Sequence, residues 1–301
     1  MNIITISDKK YPKLLKKIGK TAPKQLYYKG AWNDDIFKNC LAVVGSRHMT
    51  NYGRQVTEKI VGEAASAGIT IVSGFMYGID AAAHKAALRV GGRTIAVMPC
   101  GIDLIHPEYQ QDLYAEILKN KGLIISEYEG NFAPTLWTYP QRNRIVAGLS
   151  KAALIIEAGE KSGSLITANL AKKYKRKVFV IPGPITSENS KGIMQLIKEG
   201  AEAVSSAEDI LREYDSARAL DFSGALPRHG GALRDPKNLK PSLESPLERQ
   251  IIGRLKREPM EIDDLSRIFG ISAVNLGATL SLMELNGIIK QEGGKWQSNL
   301  I

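Results

Sequence analysis

Residues 160–174 read Glu-Lys-Ser-Gly-Ser-Leu-Ile-Thr-Ala-Asn-Leu-Ala-Lys-Lys-Tyr and open on a cluster suited to an anion. Lys161, Ser162, Gly163 and Ser164 stand where an apolar run, residues 152–156, gives way to an amphipathic helical pattern. The first N–H groups of a helix have no partner within it, and the helix dipole adds partial positive charge there. Small residues leave those groups uncovered, so this helix start suits a phosphate.

Other segments repeat the chemistry. The ends of successive apolar runs read Gly45-Ser46-Arg47, Ser73-Gly74, Pro99-Cys100-Gly101, Ser126-Glu127 and Glu157 to Ser164. One Gly-Ser turn is an ordinary tight connection. Five such ends on one edge, two of them carrying a cation (Arg47 and Lys161), describe a row of donors for phosphate. A further stretch, LWTYPQRNRIVAGLS over 136–150, places Arg142 and Arg144 at a predicted helix start, where cations are disfavoured unless an anion is near. Trp137 and Tyr139 lie just upstream. Aromatic rings that stack bases beside guanidinium groups that hold phosphates are the chemistry of single-strand binding; Trp137 serves equally well as a packing residue.

These loops need a scaffold that brings them to one edge. Short apolar strands are expected at 41–45, 69–73, 94–98, 122–126, 152–156 and 177–181, with helices at 51–67, 78–90, 108–120, 141–149 and 163–175 between them. A helix near 190–199 and a strand near 202–204 complete the pattern. All-apolar strands alternating with helices predict a parallel sheet covered on both faces, an α/β, Rossmann-like doubly wound domain over 40–214. In such a sheet ligands bind beyond the carboxyl ends of the strands. Residues 1–39 form a lead-in, with a helical YPKLLKKI and a strand-like QLYYKG. Residues 215–245, punctuated by Gly and Pro, read as a linker. Residues 246–301 give three helices and a hairpin turning at Gly293-Gly294, the pattern of a small winged-helix domain.

Composition narrows the function. The net charge of +10 is concentrated upstream: residues 1–220 hold 30 Lys and Arg against 21 Asp and Glu, whereas residues 241–301 hold 7 against 8. Basicity of that size fits a polyanion such as nucleic acid, and also a surface rich in lysine. No apolar run approaches the ~18–20 residues of a membrane helix, and the N-terminus lacks the order of a signal peptide. Two cysteines, Cys40 and Cys100, suit a reducing cytoplasm rather than a disulfide framework or a zinc site. VVGSRHMTNYG lacks the G-x-G-x-x-G of a dinucleotide site, no acid ends the second strand, and there is no Walker A loop. No cofactor and no metal are expected.

VVGSR, SGFMYGIDAAAH, MPCGIDLIHP, YPQRNRIVAGLS, EAGEKSGSLITANLA, VFVIPGP and SKGIMQLIKEGAEAV occur in that order, and together they resemble the DNA-processing protein A (DprA/Smf) family. The resemblance covers roughly residues 10–212, and the winged-helix tail continues it. It implies a cytoplasmic protein that binds single-stranded DNA in natural transformation and DNA recombination. It also implies protection of the incoming strand, loading of the RecA recombinase and a homodimer. The candidate strand-binding residues are then Gly45, Ser46, Arg47, Ser73, Gly74, Trp137, Tyr139, Arg142, Asn143, Arg144, Lys161, Ser162, Gly163 and Ser164. Two features depart from the family. Residues 1–39 leave little room for the N-terminal helical domain many members carry, and Phe75-Met76-Tyr77 stands where smaller or charged residues are common.

An enzyme is the main alternative. The fold is similar to that of phosphoribohydrolases of the lysine-decarboxylase-like group, whose phosphate loop opens a helix bearing a catalytic carboxylate. Cleavage at a sugar needs such a carboxylate, and the helix after Ser162 carries no acid. Glu127, Glu157 and Glu160 remain near the edge; Glu157 suits a helix cap or a partner for Arg144. Asp80 and His84, four apart, suit a helix cap and a lone histidine better than an acid–base pair. The expectation is therefore a binding protein with no catalytic residues. A transcription regulator acting through the tail is disfavoured, because its recognition helix, SAVNLGATLSLMELN, has no Lys or Arg for phosphate contacts.

Overall fold

The computed structural model describes residues 2–214, and residues 246–298 apart from Arg257, Ser272, Asn286, Gly287 and Gly293. The first body is built on a nine-stranded sheet. In chain order its strands are β1 (Asn2–Thr5), β2 (Gln25–Gly30), β3 (Cys40–Val44), β4 (Thr70–Ser73), β5 (Thr94–Val97), β6 (Leu123–Ser126), β7 (Ala152–Ile155), β8 (Lys177–Val180) and β9 (Glu202–Ala203). They lie side by side as β1-β2-β6-β5-β4-β3-β7-β8-β9. From β6 to β9 every pairing is parallel, with Leu41 opposite Ala152 and Cys40 opposite Thr70. The lead-in strands β1 and β2 join the same sheet antiparallel at its β6 edge. The chain winds outward from β3 through β6, then returns to start again at β7 on the other side of β3. That reversal is the topological switch point.

Helices α1 (Lys13–Lys16), α2 (Asn51–Val56), α3 (Gly62–Ser66), α4 (Ile79–Arg89), α5 (Gln111–Lys119), α6 (Thr138–Leu149), α7 (Gly163–Lys173), α8 (Lys191–Lys198) and α9 (Ala207–Tyr214) cover the faces. A π-type turn at Thr57–Val61 joins α2 and α3 into one rod. The central strands β3 to β7 are buried at every position, and apolar residues fill most of them. In β3, Cys40, Ala42 and Val44 enter one core with Ile145, Val146 and Ala168, and Leu41 and Val43 enter the other with Ile60, Ile79 and Ala83. Burying a Val, Leu or Ile side chain contributes about 1.5–3 kcal/mol, so β3, with Leu41, Val43 and Val44 buried, cannot turn outward without a large loss. Both cysteines are buried as free thiols, Cys40 in the first of these cores and Cys100 in a third cluster with Phe75 and Met98, and burial pushes Cys40 up to about 12 and Cys100 up to about 11.

The second body holds α10 (Pro246–Leu255), α11 (Ile262–Phe269), α12 (Ala273–Leu285) and the hairpin β10 (Ile289–Glu292) and β11 (Lys295–Ser298). Gly270 ends α11 with φ of 64°, a conformation that glycine adopts without a Cβ clash. Ile251, Leu255, Leu265, Leu280, Met283 and Trp296 form its core, and Met260 exchanges two backbone hydrogen bonds with Trp296. This is the expected winged helix. No helix among the described residues is long and apolar enough to cross a membrane.

One core group is sensitive to pH. His84 on α4 is fully buried, and its Nδ1 lies 2.7 Å from Thr94 Oγ1. Because Thr94 Oγ1 donates to Ile71 O, His84 Nδ1 is the donor to Thr94, and Nε2 is a bare acceptor with no partner among the described residues. Burial lowers this imidazole to about 3. The unfolded chain therefore binds a proton below pH 6.5 that the folded chain refuses. We predict that stability from His84 is complete above pH 6.5 and falls by about 1.4 kcal/mol per pH unit below it. Urea melts at pH 7.5 and 5.0 should show that loss, and His84→Asn, which keeps a donor to Thr94, should remove most of it.

Candidate functional site

The switch point places the turn after β3 and the turn after β7 on either side of one crevice, about 460 Å³ in volume. Gly45, Ser46, Arg47, Gly74, Tyr139, Arg142, Asn143, Lys161, Ser162, Gly163 and Ser164 line it. Eleven of the fourteen sequence-predicted residues are thus brought together. At the β7 side Ser162 caps α7: its Oγ accepts from Ser164 N at 3.3 Å and lies 2.7 Å from Ser164 Oγ. A Cβ on Gly163 would meet no protein atom, so the fold itself does not require glycine there. Open space over a helix start is what a ligand approaching the N–H groups needs.

At the β3 side, the loop is pinned from below and its arginine is left free above. Ser46 Oγ donates to Asn189 Oδ1, Asn189 Nδ2 donates to His48 O, and Ile79 N donates to Ser46 O. Gly78, with φ of 78°, sits against the Ser46 and Arg47 backbone where no side chain would fit. Arg47 is exposed. Its guanidinium lies 5.1 Å from the ring of Tyr139 and 5.8 Å from that of Tyr77. Two aromatic faces orient the cation without neutralising it. His106 Nε2 lies 2.9 Å from Tyr139 Oη and fixes that ring from its far side. Burial, with help from Arg47, lowers His106, so the imidazole is neutral at pH 7.

Arg142 is different in kind. It is 4% exposed, donates through Nη1 to Val97 O, and its guanidinium fills the space where Gly74 lacks a side chain. Asp80 is buried nearby and accepts from Met76 N. Burial raises Asp80 above the usual carboxylate range, and the attraction of Arg142 opposes that shift. Burial likewise lowers Arg142, with Asp80 opposing. The arginine lines the crevice from beneath and ties α6 to the ends of β4 and β5. The helix also begins earlier than its sequence suggests, at Thr138 rather than 141, so both arginines stand past its first turn.

Three predicted residues lie outside the crevice lining. Ser73 is fully buried and donates to Val43 O at 2.6 Å. Arg144 makes a two-oxygen pair with Glu127 and donates to Thr21 O. Trp137, 54% exposed, packs edge-on against Tyr128 and Phe132, which stack on each other at 4.8 Å. Glu157 takes the helix-cap alternative: it accepts from Thr50 N and Thr50 Oγ1 beside the start of α2. Sequence reading missed Asn189, His48 and Thr167, all in the lining. Thr167 had a signal, its place one turn beyond Ser164; Asn189 had none, because it comes from a turn before α8. Among the described residues no cluster of three or more His, Cys, Asp or Glu suits a metal ion.

Known proteins share this architecture. The model of the DNA recombination-mediator protein A family matches residues 2–215, and that of the DprA winged helix domain matches residues 235–295. Protein Smf of Synechocystis is 34% identical over 97% of the chain and 78% of its own length. DNA processing protein A from Streptococcus pneumoniae superimposes with a TM-score of 0.66 at 42% identity, over 70% of this chain and 74% of that one. DNA processing protein A from Helicobacter pylori, solved for its single-stranded DNA binding mode, gives 0.63 at 32% identity, over 71% and 96%.

The contrast between Gly74 and Gly163 is testable without any ligand. Gly74→Ala forces a Cβ into the Arg142 guanidinium and should destabilise the first body by about 1–3 kcal/mol. Gly163→Ala meets open space in a helical first turn and should leave the urea midpoint unchanged or slightly raised. Equal losses in both variants would contradict this account of the floor.

Proposed function

The chain belongs to the DNA recombination-mediator protein A family, and on that premise we propose that it grips single-stranded DNA by its phosphates in the crevice between β3 and β7 and leaves the strand intact. The observation that carries this reading is the charge of the crevice. Arg47 and Lys161 are exposed on opposite walls, and neither is in an ion pair among the described residues. The start of the 11-residue helix α7 stands beside Lys161, with its dipole adding to the same field.

The absence of cleavage is supported by what the carboxylates do. No acid lies on α7. Glu157 is held by Thr50 and Glu127 by Arg144, so neither is free to stabilise a cationic sugar centre. Outside the crevice, at the start of α6, the rings of Tyr128, Phe132 and Trp137 offer a platform on which bases leaving the crevice stack. On family membership we extend the reading to loading of the RecA recombinase and to a homodimer, acting in natural transformation and DNA recombination in the cytoplasm. The tail serves protein contact in this scheme, because α12 offers no Lys or Arg to a duplex.

Titration of single- and double-stranded oligonucleotides across a salt series tests the proposal. Single strands should bind more tightly. Arg47→Ala and Lys161→Ala should each weaken binding and lower the log–log salt slope by about 0.7 for each phosphate that is no longer neutralised. Unchanged slopes in both variants would place the strand elsewhere. Release of free base from a nucleoside monophosphate by the wild-type protein would overturn the binding-only reading. A chain ending at Ser216 should keep its affinity to within tenfold, about 1.4 kcal/mol, because the basic excess lies upstream.

A further inference from the structure

Thr167 lines the crevice on α7, three residues after Ser164 and on the same face of the helix. It is 1% exposed, and among the described residues its hydroxyl has no hydrogen-bond partner. Every other hydroxyl among the described lining residues is engaged. Ser46 bonds Asn189, Tyr139 bonds His106, and Ser162 and Ser164 bond each other. A threonine inside a helix can relieve its hydroxyl by bonding the carbonyl one turn back, and Thr167 makes no such bond. Thr70 Oγ1 and His84 Nε2 are also without partners, but neither lines the crevice.

A buried, unsatisfied hydroxyl is unfavourable, and native folds keep few of them. One that faces a cationic crevice beside a helix start has an obvious acceptor to await. We propose that the Thr167 hydroxyl donates to a non-bridging oxygen of the bound phosphate, which therefore sits one helical turn deeper than the Lys161–Ser164 loop alone would hold it. This rests on the proposed strand-binding function and adds a ligand to the same site. The hydroxyl has its own proton to give, so the bond requires no change in the charge of the protein. Thr167 thus contributes affinity without contributing to the salt dependence, unlike Arg47 and Lys161.

Thr167→Val keeps the shape and removes the hydroxyl; Thr167→Ser keeps the hydroxyl. The free Thr167→Val protein should melt at or above the wild-type temperature, because an unsatisfied polar group has been deleted. The same variant should bind a single-stranded oligonucleotide about tenfold more weakly, with an unaltered salt slope, and Thr167→Ser should bind within about twofold of wild type. Affinity and stability then move in opposite directions, which a merely structural threonine would not produce. Wild-type affinity in Thr167→Val overturns the proposal while leaving the strand-binding reading intact. So does a joint loss of stability and affinity that Thr167→Ser fails to rescue. Should the wild-type protein bind no oligonucleotide, the functional reading fails, and thermal shifts with inorganic phosphate then decide the role of Thr167. Phosphate protection that is present in wild type and absent in Thr167→Val supports it; equal protection, or none in either, overturns it.

Discussion

The buried guanidinium of Arg142 holds the crevice open in its observed shape. It occupies the volume that a side chain at Gly74 would take, reaches Val97 O at the end of β5, and is countered by Asp80 at the start of α4. Two strand ends and two helices therefore converge on one side chain. Isolating a charge of this size away from water is costly, and removing a single partner would leave the rest uncompensated. The turn after β4 is fitted tightly around it. Phe75 adopts φ of 77°, a conformation bulky residues rarely take, and it does so with its ring fully buried against His84 and Tyr114. Strain at that turn and a buried ion beneath it fix where the crevice floor lies.

The remaining charges sort by sign. Three carboxylates near the strand ends are consumed by architecture, Glu157 by the start of α2, Glu127 by Arg144, and Asp80 by Met76 N and Arg142, whereas Glu160 stays exposed on the turn before α7. Gly53 lets Glu157 come so close, since a Cβ there would overlap the carboxylate. Among the described residues Arg47 and Lys161 have no such partner, and Arg47 is steadied by tyrosine rings that leave its N–H groups available. The outcome is a crevice with positive potential although acids are frequent in its surroundings. A structure that paired Arg47 with any one of those acids would have the same composition and a far weaker field at the crevice.

How much of this was legible in the sequence follows from which forces act locally. The six central strands and their order of appearance were legible because doubly buried strands carry short runs of consecutive apolar residues. Strand β1 was not, since only Ile4 of its four residues is buried. The start of α6 was misplaced because Pro140 reads as a break, whereas a proline in the first helical turn loses no hydrogen bond. Of the two conspicuous arginines, neither sequence neighbours nor spacing revealed that Arg142 would be buried against Gly74 and Arg144 drawn to Glu127, far upstream; those roles are set by tertiary contacts. Glycine told more than expected in one place and less in another: Gly74 is demanded by packing, Gly163 is not.

The donors that face the crevice also limit what kind of recognition it can perform. Backbone N–H groups at the start of α7, the hydroxyl of Thr167, and the cations of Arg47 and Lys161 all address negatively charged oxygens. Reading a base needs paired donors and acceptors held at its edge, as an asparagine or glutamine amide supplies. Asn189, which has such an amide, already spends it on Ser46 and His48, and Asn143, the other lining amide, accepts from Arg142 Nε through its Oδ1. The proposed stacking rings at Tyr128, Phe132 and Trp137 would accept any base, because every base presents a π-face. Phosphate contacts position a strand and carry no sequence information. A crevice built this way favours grip over discrimination, which suits the proposed hold on DNA of arbitrary sequence, and the same geometry would be a poor design for a site that has to select one base from another.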